Sequence, residues 1–372
     1  MRQSAHRTMS KIFTATALCI GLLSSAAAFS TPVSAEINVR PYGDVKVLAT
    51  VPSPVALPEG IAVKGNKVYV SGPATFGNAG NGHPSEVYVF DIKSGELVER
   101  YPVQGENLAL DHANSNIAFD GNGRLYVNNI QLGIYRLNLD NGQQEIYSSP
   151  LPNLPQCSVV QPAPCAPTVI DSQTPLPNDI IFDAAGNAYV TDSMQATIWR
   201  IPAGGGAPQI WFQDARFASP YVGVNGMRLD PTGTKMYLTV SIDMTGQGWI
   251  YTLPLVAQPT AADLQPFFHF PANDLPDGIA FGSSGLIYVA IATPFNSGIT
   301  VIDTNGNQVA RLANPIGSPI FPYDSPASIA FNKHGSLLTI NHAFATMIPS
   351  HFTVLDVFVG DKELPLIKPL LP

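Results

Sequence analysis

One phrase recurs six times along this 372-residue chain: a small polar residue, an apolar triplet, a Gly-containing turn and a second apolar run. It reads PEGIAVKGNKVYVS (58–71), NSNIAFDGNGRLYVNN (114–129), PNDIIFDAAGNAYVTDS (177–193), VNGMRLDPTGTKMYLTVS (224–241), PDGIAFGSSGLIYVAIA (276–292) and PASIAFNKHGSLLTINH (326–342). The aligned apolar anchors are Ile61, Ile117, Ile180, Met227, Ile279 and Ile329, separated by 56, 63, 47, 52 and 50 residues. A supersecondary unit repeated at this period cannot bury its apolar faces alone. It must pack against its neighbours, and units of strand and turn at about 50-residue spacing do so as the blades of a β-propeller.

Two more strand-like runs follow each phrase, as in EVYVFDI (86–92) and ELVERYPV (96–103), ATIWRIP and PQIWFQD, or GITVIDT and NQVARLA. Each unit therefore holds four strands. The sixth has its third strand in HFTVLDVFVG and then runs out, whereas DVKVLATV (44–51) precedes the first copy in the place of a fourth strand. The expectation is an all-β, six-bladed propeller of four-stranded blades, its ring closed by the N-terminal strand so that no sheet edge stays open. Residues 36–372 then form one domain, although length alone suggests two. Composition agrees: charged residues are 12 %, with 31 Gly and 34 Pro, against about 25 % charged in ordinary domains. The net charge of −8 argues against nucleic-acid binding.

Residues 1–35 read as a secretory signal peptide. Arg2, Arg7 and Lys11 precede an uncharged run from Ile12 to Phe29, and Val33-Ser34-Ala35 supplies small residues for cleavage. An uncleaved anchor is the alternative. Cleavage predicts a secreted or periplasmic protein, starting at Glu36, with 16 basic and 27 acidic residues, a net charge of −11. In an oxidising compartment Cys157 and Cys165, in the Pro-rich stretch QCSVVQPAPCAP, are expected to form a local disulfide. Two free thiols or a metal pair are the alternatives, the latter poorly served with no His nearby.

The first strand of each propeller blade lines the central channel. Two positions before each anchor stand Glu59, Ser115, Asn178, Asn225, Asp277 and Ala327, which the six-fold arrangement brings into one axial ring. Glu59, Asn178, Asn225 and Asp277 offer two carboxylates and two carboxamides, a set of oxygen donors suited to a hard divalent cation such as Ca²⁺. Each residue singly also fits a strand start, where its side chain satisfies backbone donors. All four at one repeat phase favour the cation, because uncompensated oxygens around an axis repel.

Residues just after each second strand face the same mouth: Ser71, Asn128, Asn129, Asp192, Ser193, Ser241, Asp243, Thr293, Asn341 and His342. His342 is a candidate proton carrier, with a structural hydrogen bond as the alternative. Ser115, His112, Asp192 and Ser193 are candidates for the substrate pocket. His83, in the loop FGNAGNGHP, is expected to overhang the same face, and His334 to sit in a turn on the opposite one.

With PEG around Glu59, PND at 177–179, VNG at 224–226 and PDG at 276–278, the chain resembles the regucalcin (senescence marker protein)/gluconolactonase/luciferin-regenerating-enzyme family of six-bladed propellers. The resemblance covers Val51 to His342. It implies that Glu59, Asn225 and Asp277 ligate a divalent metal, with Asn178 at the same centre as ligand or as contact to water or substrate. It also implies a hydrolase of lactones, esters or organophosphates in which Asp277 doubles as base or nucleophile. The more distant diisopropylfluorophosphatase and paraoxonase propellers are similar in their axial calcium.

Two departures stand out. Leu176 occupies the place where sugar-lactone hydrolases of the family carry an Arg, which leans toward an apolar lactone or ester, and PEGIAV lacks the family's following Trp. The expected protein is thus an exported, metal-dependent lactonase or esterase. It carries Ca²⁺, or else Zn²⁺, Mn²⁺ or Mg²⁺, and takes a small-molecule substrate, with no nucleic-acid partner and no membrane contact once the signal is removed. A non-catalytic binding propeller with a structural metal, and a strictosidine-synthase-like enzyme, are the alternatives.

Overall fold

Each of the first five repeats folds as a four-stranded antiparallel sheet whose strands follow in chain order from the axis outward, and the sixth supplies three strands of such a sheet. The computed structural model describes residues 40–53, 57–75, 77–154, 175–315 and 321–372, and the propeller unit begins at Arg40. The leader 1–35 and the Cys157–Cys165 pair lie outside the described residues. The inner strands are Ile61–Lys64, Asn114–Phe119, Pro177–Phe182, Val224–Leu229, Pro276–Phe281 and Pro326–Phe331. The strand Val45–Thr50 pairs antiparallel with Thr353–Phe358 and forms the outer edge of the sixth blade, so the ring closes as expected.

All six anchors meet the second strand in one register: Ile61 opposite Val70, Ile117 opposite Val127, Ile180 opposite Val190, Met227 opposite Leu238, Ile279 opposite Val289 and Ile329 opposite Thr339. In the last five blades the ladder is interrupted over the two residues before the anchor. Such a bulge frees backbone groups from the sheet and re-aims side chains. The bulged pairs are 115–116, 178–179, 225–226, 277–278 and 327–328, so Asn178, Asn225 and Asp277 sit where pairing within the blade lapses, whereas Glu59 N–H still donates to Ser71 O at 2.9 Å.

The repeated x-Y-V of the second strand and I-A-F of the inner strand build a clasp between blades. Tyr69 meets Phe119, Tyr126 meets Phe182, Tyr237 meets Phe281 and Tyr288 meets Phe331, edge to face at 5.0, 5.0, 5.0 and 5.5 Å. Each such pair adds about 0.5–1.5 kcal/mol beyond the area it buries.

After the last strand the chain crosses the face opposite the candidate ligands. Leu364 N–H donates to Phe281 O at 2.9 Å and Gly121 N–H to Pro369 O at 2.7 Å, and Arg124 holds Pro372 O at 2.9 Å. Leu371 is buried against Tyr126, Phe182 and Ala188. Leu364 and Ile367 line the end of the axial cavity together with Ile61, Ile117, Ile180 and Ile329. The tail thus caps the channel from below and leaves the ligand-bearing mouth on the other face.

Candidate functional site

The axial residues are held by a girdle of hydrogen bonds between blades. Ser71 Oγ donates to Ser115 O, Asn128 Nδ2 to Asn178 O (2.9 Å), Thr191 Oγ1 to Asn225 O (2.7 Å) and Thr239 Oγ1 to Asp277 O (2.7 Å). All four donors stand at one position of the second strand, one residue past the partner of the anchor. Each grips the carbonyl of the next blade's axial residue, which the bulge has released from its own sheet. Two further donors lie two residues later. Ser193 Oγ gives its proton to Val224 O at 2.6 Å and Ser241 Oγ to Pro276 O at 2.7 Å.

These two serines fix the amides. A hydroxyl whose proton is committed to a carbonyl presents only lone pairs to a third group. Asn178 therefore turns Nδ2 to Ser193 Oγ (3.2 Å), and Asn225 turns Nδ2 to Ser241 Oγ (2.9 Å). The amide oxygen is the atom left for the channel. Asn225 Oδ1 is buried and accepts no hydrogen bond, and Asn128 Oδ1 is in the same state. An orphaned buried acceptor carries a desolvation cost of about 1–3 kcal/mol unless something else satisfies it.

Beside these oxygens stand two carboxyls. Glu59 is buried, and its pKa is held well above the usual range by burial, with the Asp277 and Asp179 charges adding to the effect. Asp277 stays partly open at the mouth. Burial pushes its carboxyl up to about 7, against a hydrogen bond from Asn225 that favours ionisation and with Asp179 pushing the same way as burial. Both groups need a positive charge in order to ionise together at neutral pH.

Asp179, one residue below Asn178, is already satisfied. Its carboxylate accepts from Asn116 Nδ2 (2.7 Å), Ile180 N (2.8 Å), Met227 N (2.7 Å) and Arg228 Nη1 (2.9 Å). At the same position other blades carry Gly60, Gly226 and Gly278, where inner strands approach closely. A Cβ on Gly278 would lie 2.7 Å from Ala327 O, one on Gly60 2.7 Å from Ser115 O, and one on Gly226 would strike Asp277 O. This contact is the physical content of the motifs PEG, VNG and PDG.

Asn225 thus brings an unpartnered amide oxygen, and Glu59 and Asp277 bring carboxyls that burial holds above their ordinary range, to the mouth where the repeat also places Asn178. Hard divalent cations prefer such donors, and the residues fit one. Among the described residues no group of three or more His, Cys, Asp or Glu gathers as a metal site.

The remaining candidates separate. His342 sits beside Glu59, Nε2 to Oε2 at 3.9 Å, and Nε2 lies 2.8 Å from Ala74 O. A carbonyl only accepts, so Nε2 carries the proton; burial lowers the pKa and keeps the ring neutral. Ser115 is buried, its Oγ donating to Pro177 O at 2.5 Å. Ser193 touches the site through Asn178. Asp192 turns away from the axis and accepts from Leu176 N (3.0 Å), Gln195 Nε2 (2.6 Å) and Trp199 Nε1 (3.1 Å). His112 is fully buried between two loops, with its ring nitrogens facing Leu110 O (3.0 Å) and His83 O (2.7 Å). Among the other residues after the second strands, Asn129, Asp243 and Asn341 brace loops in the manner of Asp192. His334 lies in a far-face turn.

Sequence reasoning missed Thr191 and Thr239, the Asn116–Asp179–Arg228 layer, and Asp324, a fully buried carboxylate 2.7 Å from His351 Nδ1. The two threonines were discoverable, since they share the repeat position of Ser71 and Asn128.

Residues 77–331 match the model of the SMP-30/Gluconolactonase/LRE-like region. Among solved structures, a calcium-binding regucalcin from Agrobacterium tumefaciens is 17 % identical over 88 % of this chain and 96 % of its own, with a TM-score of 0.58. A gluconolactonase from Xanthomonas campestris is 16 % identical over 85 % and 89 %, with a TM-score of 0.55. A luciferin-regenerating enzyme is 15 % identical over 88 % and 99 %, with a TM-score of 0.58. No curated protein sequence matches.

Proposed function

This chain belongs to the SMP-30/gluconolactonase/LRE-like family, and on that premise we propose that it hydrolyses a lactone or ester with the help of a divalent cation held by Glu59, Asn178, Asn225 and Asp277. The observation that carries the reading is the inward-facing, unpartnered Asn225 Oδ1 beside two carboxyls that burial holds above their ordinary range. A cation satisfies the amide oxygens and lets both carboxyls ionise. Ca²⁺ suits the all-oxygen set best.

When bound, such a cation polarises the acyl oxygen and lowers the pKa of nearby water. The chain supplies the rest. Asp277, ionised once the site is compensated, takes the proton of the attacking water. The water oxygen bonds to the acyl carbon, the acyl C–O bond breaks, and the departing oxygen receives a proton, giving a carboxylic acid and an alcohol. His342 presents Nδ1 as its acceptor because Nε2 is tied to Ala74 O. Its place beside Glu59 suits it to relay the returned proton. Leu176, partly exposed at the mouth, offers no charge to a sugar acid.

The test is hydrolysis of a lactone and aryl-ester panel by the purified protein before and after chelation, with Ca²⁺, Mn²⁺, Mg²⁺ or Zn²⁺ restored. Turnover that returns with a metal supports the reading. Thermal stabilisation by metal without turnover of any substrate rejects it in favour of a binding propeller. The N-terminal sequence supports export after cleavage at Ala35; a mature N-terminus other than Glu36 on the exported protein would count against it.

A further inference from the structure

The charges of the propeller are sorted by face. Loops from the first to the second strand of a blade, and from the third to the fourth, lie opposite the axial mouth, and all eight lysines after residue 40 belong to that side. Lys64, Lys67, Lys93, Lys235 and Lys333 flank its turns, Lys46 stands opposite Asp356 at the far end of the closing strand, and Lys362 and Lys368 lie on the C-terminal tail. The mouth side carries only three arginines, each spent on a carboxylate: Arg100 on Glu86 (2.7 Å), Arg216 on Asp214 (2.7 Å) and Arg311 on Asp274 (3.2 Å).

Carboxylates outnumber them there. Besides Glu59 and Asp277 on the axis, the mouth loops hold Glu106, Asp111, Asp192 and Asp243. Their partners are backbone N–H, amide, hydroxyl or indole groups rather than lysine or arginine. A cation on the axial set would compensate the first two and leave the others. The same loops present Leu110, Tyr221, Met244, Phe295 and Phe344 to solvent; Phe295 is 91 % exposed, and Phe344 lies 5.8 Å from the His342 ring.

The geometry points to a substrate that is uncharged or cationic and carries an apolar substituent, and to rejection of anionic lactones and esters at the mouth. This inference rests on the hydrolase reading. A negative, low-dielectric mouth concentrates cationic ligands, leaves neutral ones unopposed and disfavours anions, changing association of charged ligands by about 10- to 1,000-fold at low ionic strength. Hydrolysis turns the neutral acyl group into a carboxylate, which the same field repels, so the acid product leaves unaided. The apolar rim gives the substituent a surface to cover.

The experiment uses three phenyl acetates of matched shape bearing 4-trimethylammonio, 4-tert-butyl or 4-carboxylate groups, with kcat/KM divided by the rate of base hydrolysis to remove leaving-group differences. The cationic and tert-butyl esters should exceed the carboxylate by about tenfold or more in dilute buffer, and the gap should close toward 1 M salt as the screening length falls to about 3 Å. Equal values, or preference for the carboxylate, overturn the inference while leaving hydrolysis established. Binding of the three matching phenols, read by calorimetry on the metal-loaded protein, needs no turnover. The same order there with no hydrolysis rejects the hydrolase reading alone, and no order rejects the inference.

Discussion

Asn225 donates through Nδ2 to Ser241 Oγ at 2.9 Å, and Ser241 in turn donates to Pro276 O of the next blade at 2.7 Å. One hydroxyl thereby ties two blades together and decides which end of the amide faces the channel. Ser193 repeats the device for Asn178. The candidate ligands are oriented by residues that never touch the cation.

Ser241→Ala removes the acceptor that holds the Asn225 amide. Cation affinity, measured by calorimetry, should fall about 10- to 100-fold, the usual effect of losing an outer hydrogen-bonding partner of a ligand. Global stability should drop by about 1–3 kcal/mol, since the Asn225 amide and Pro276 O are both left unpartnered. Ser241→Thr, which keeps the hydroxyl, should restore most of the affinity.

Asp277→Asn should lower kcat by at least about 100-fold, the lower range for loss of a general base, with the far-UV circular dichroism unchanged. If hydrolysis persists at the original rate, Asp277 is not the proton acceptor.

The same variant tests the electrostatics of the metal-free site. The folded-state pKa of Asp277, about 7, lies above its ordinary value of 3.8. Between those values the folded state binds the extra proton, so stability falls as pH rises through that window and stays low above it. Burial lowers the His342 pKa, which acts in the opposite sense as pH falls below about 6.5; comparison with Asp277→Asn removes that background. In chelator, Asp277→Asn should melt higher than the parent at pH 8, with the difference shrinking toward pH 4. Added Ca²⁺ should stabilise the parent more at pH 8 than at pH 5, since protons compete for the ligands.

Gly226→Ala places a methyl against Asp277 O. The inner strands must separate, so overpacking should cost about 1–3 kcal/mol by urea unfolding. Cation affinity should fall as well, because Asp277 itself is displaced. Gly246→Ala, at a turn with open space around it, should leave affinity intact.

Removal of residues 363–372 exposes the far end of the channel and the core face covered by Leu371. The truncated protein should unfold at lower urea concentration. The rates on the three phenyl acetates should keep their order, because the tail lies on the face away from the mouth.

Much of this molecule was written in a period. The spacing of the anchors from Ile61 to Ile329 dictates six blades, because strands patterned this way bury their faces only by stacking. The strand at 44–51 had nowhere to pair except the unfinished sixth blade. The phase that aligned the anchors also aligned Glu59, Asn178, Asn225 and Asp277, since a repeat places equivalent residues at equivalent radii. Tertiary structure decided what those residues can do. Only contact between blades shows that Ser193 and Ser241 set the amides, that Asp179 is closed off by Arg228 and backbone donors, and that Asp192 and His112 face away from the axis. Only the folded ring sorts eight lysines to one face and leaves Glu106, Asp111, Asp192 and Asp243 on the other without a lysine or arginine partner. Periodicity fixes where a residue lies along its own strand, whereas orientation, burial and charge environment depend on partners from other blades, as Asn116 depends on Ser328, 212 positions away in sequence.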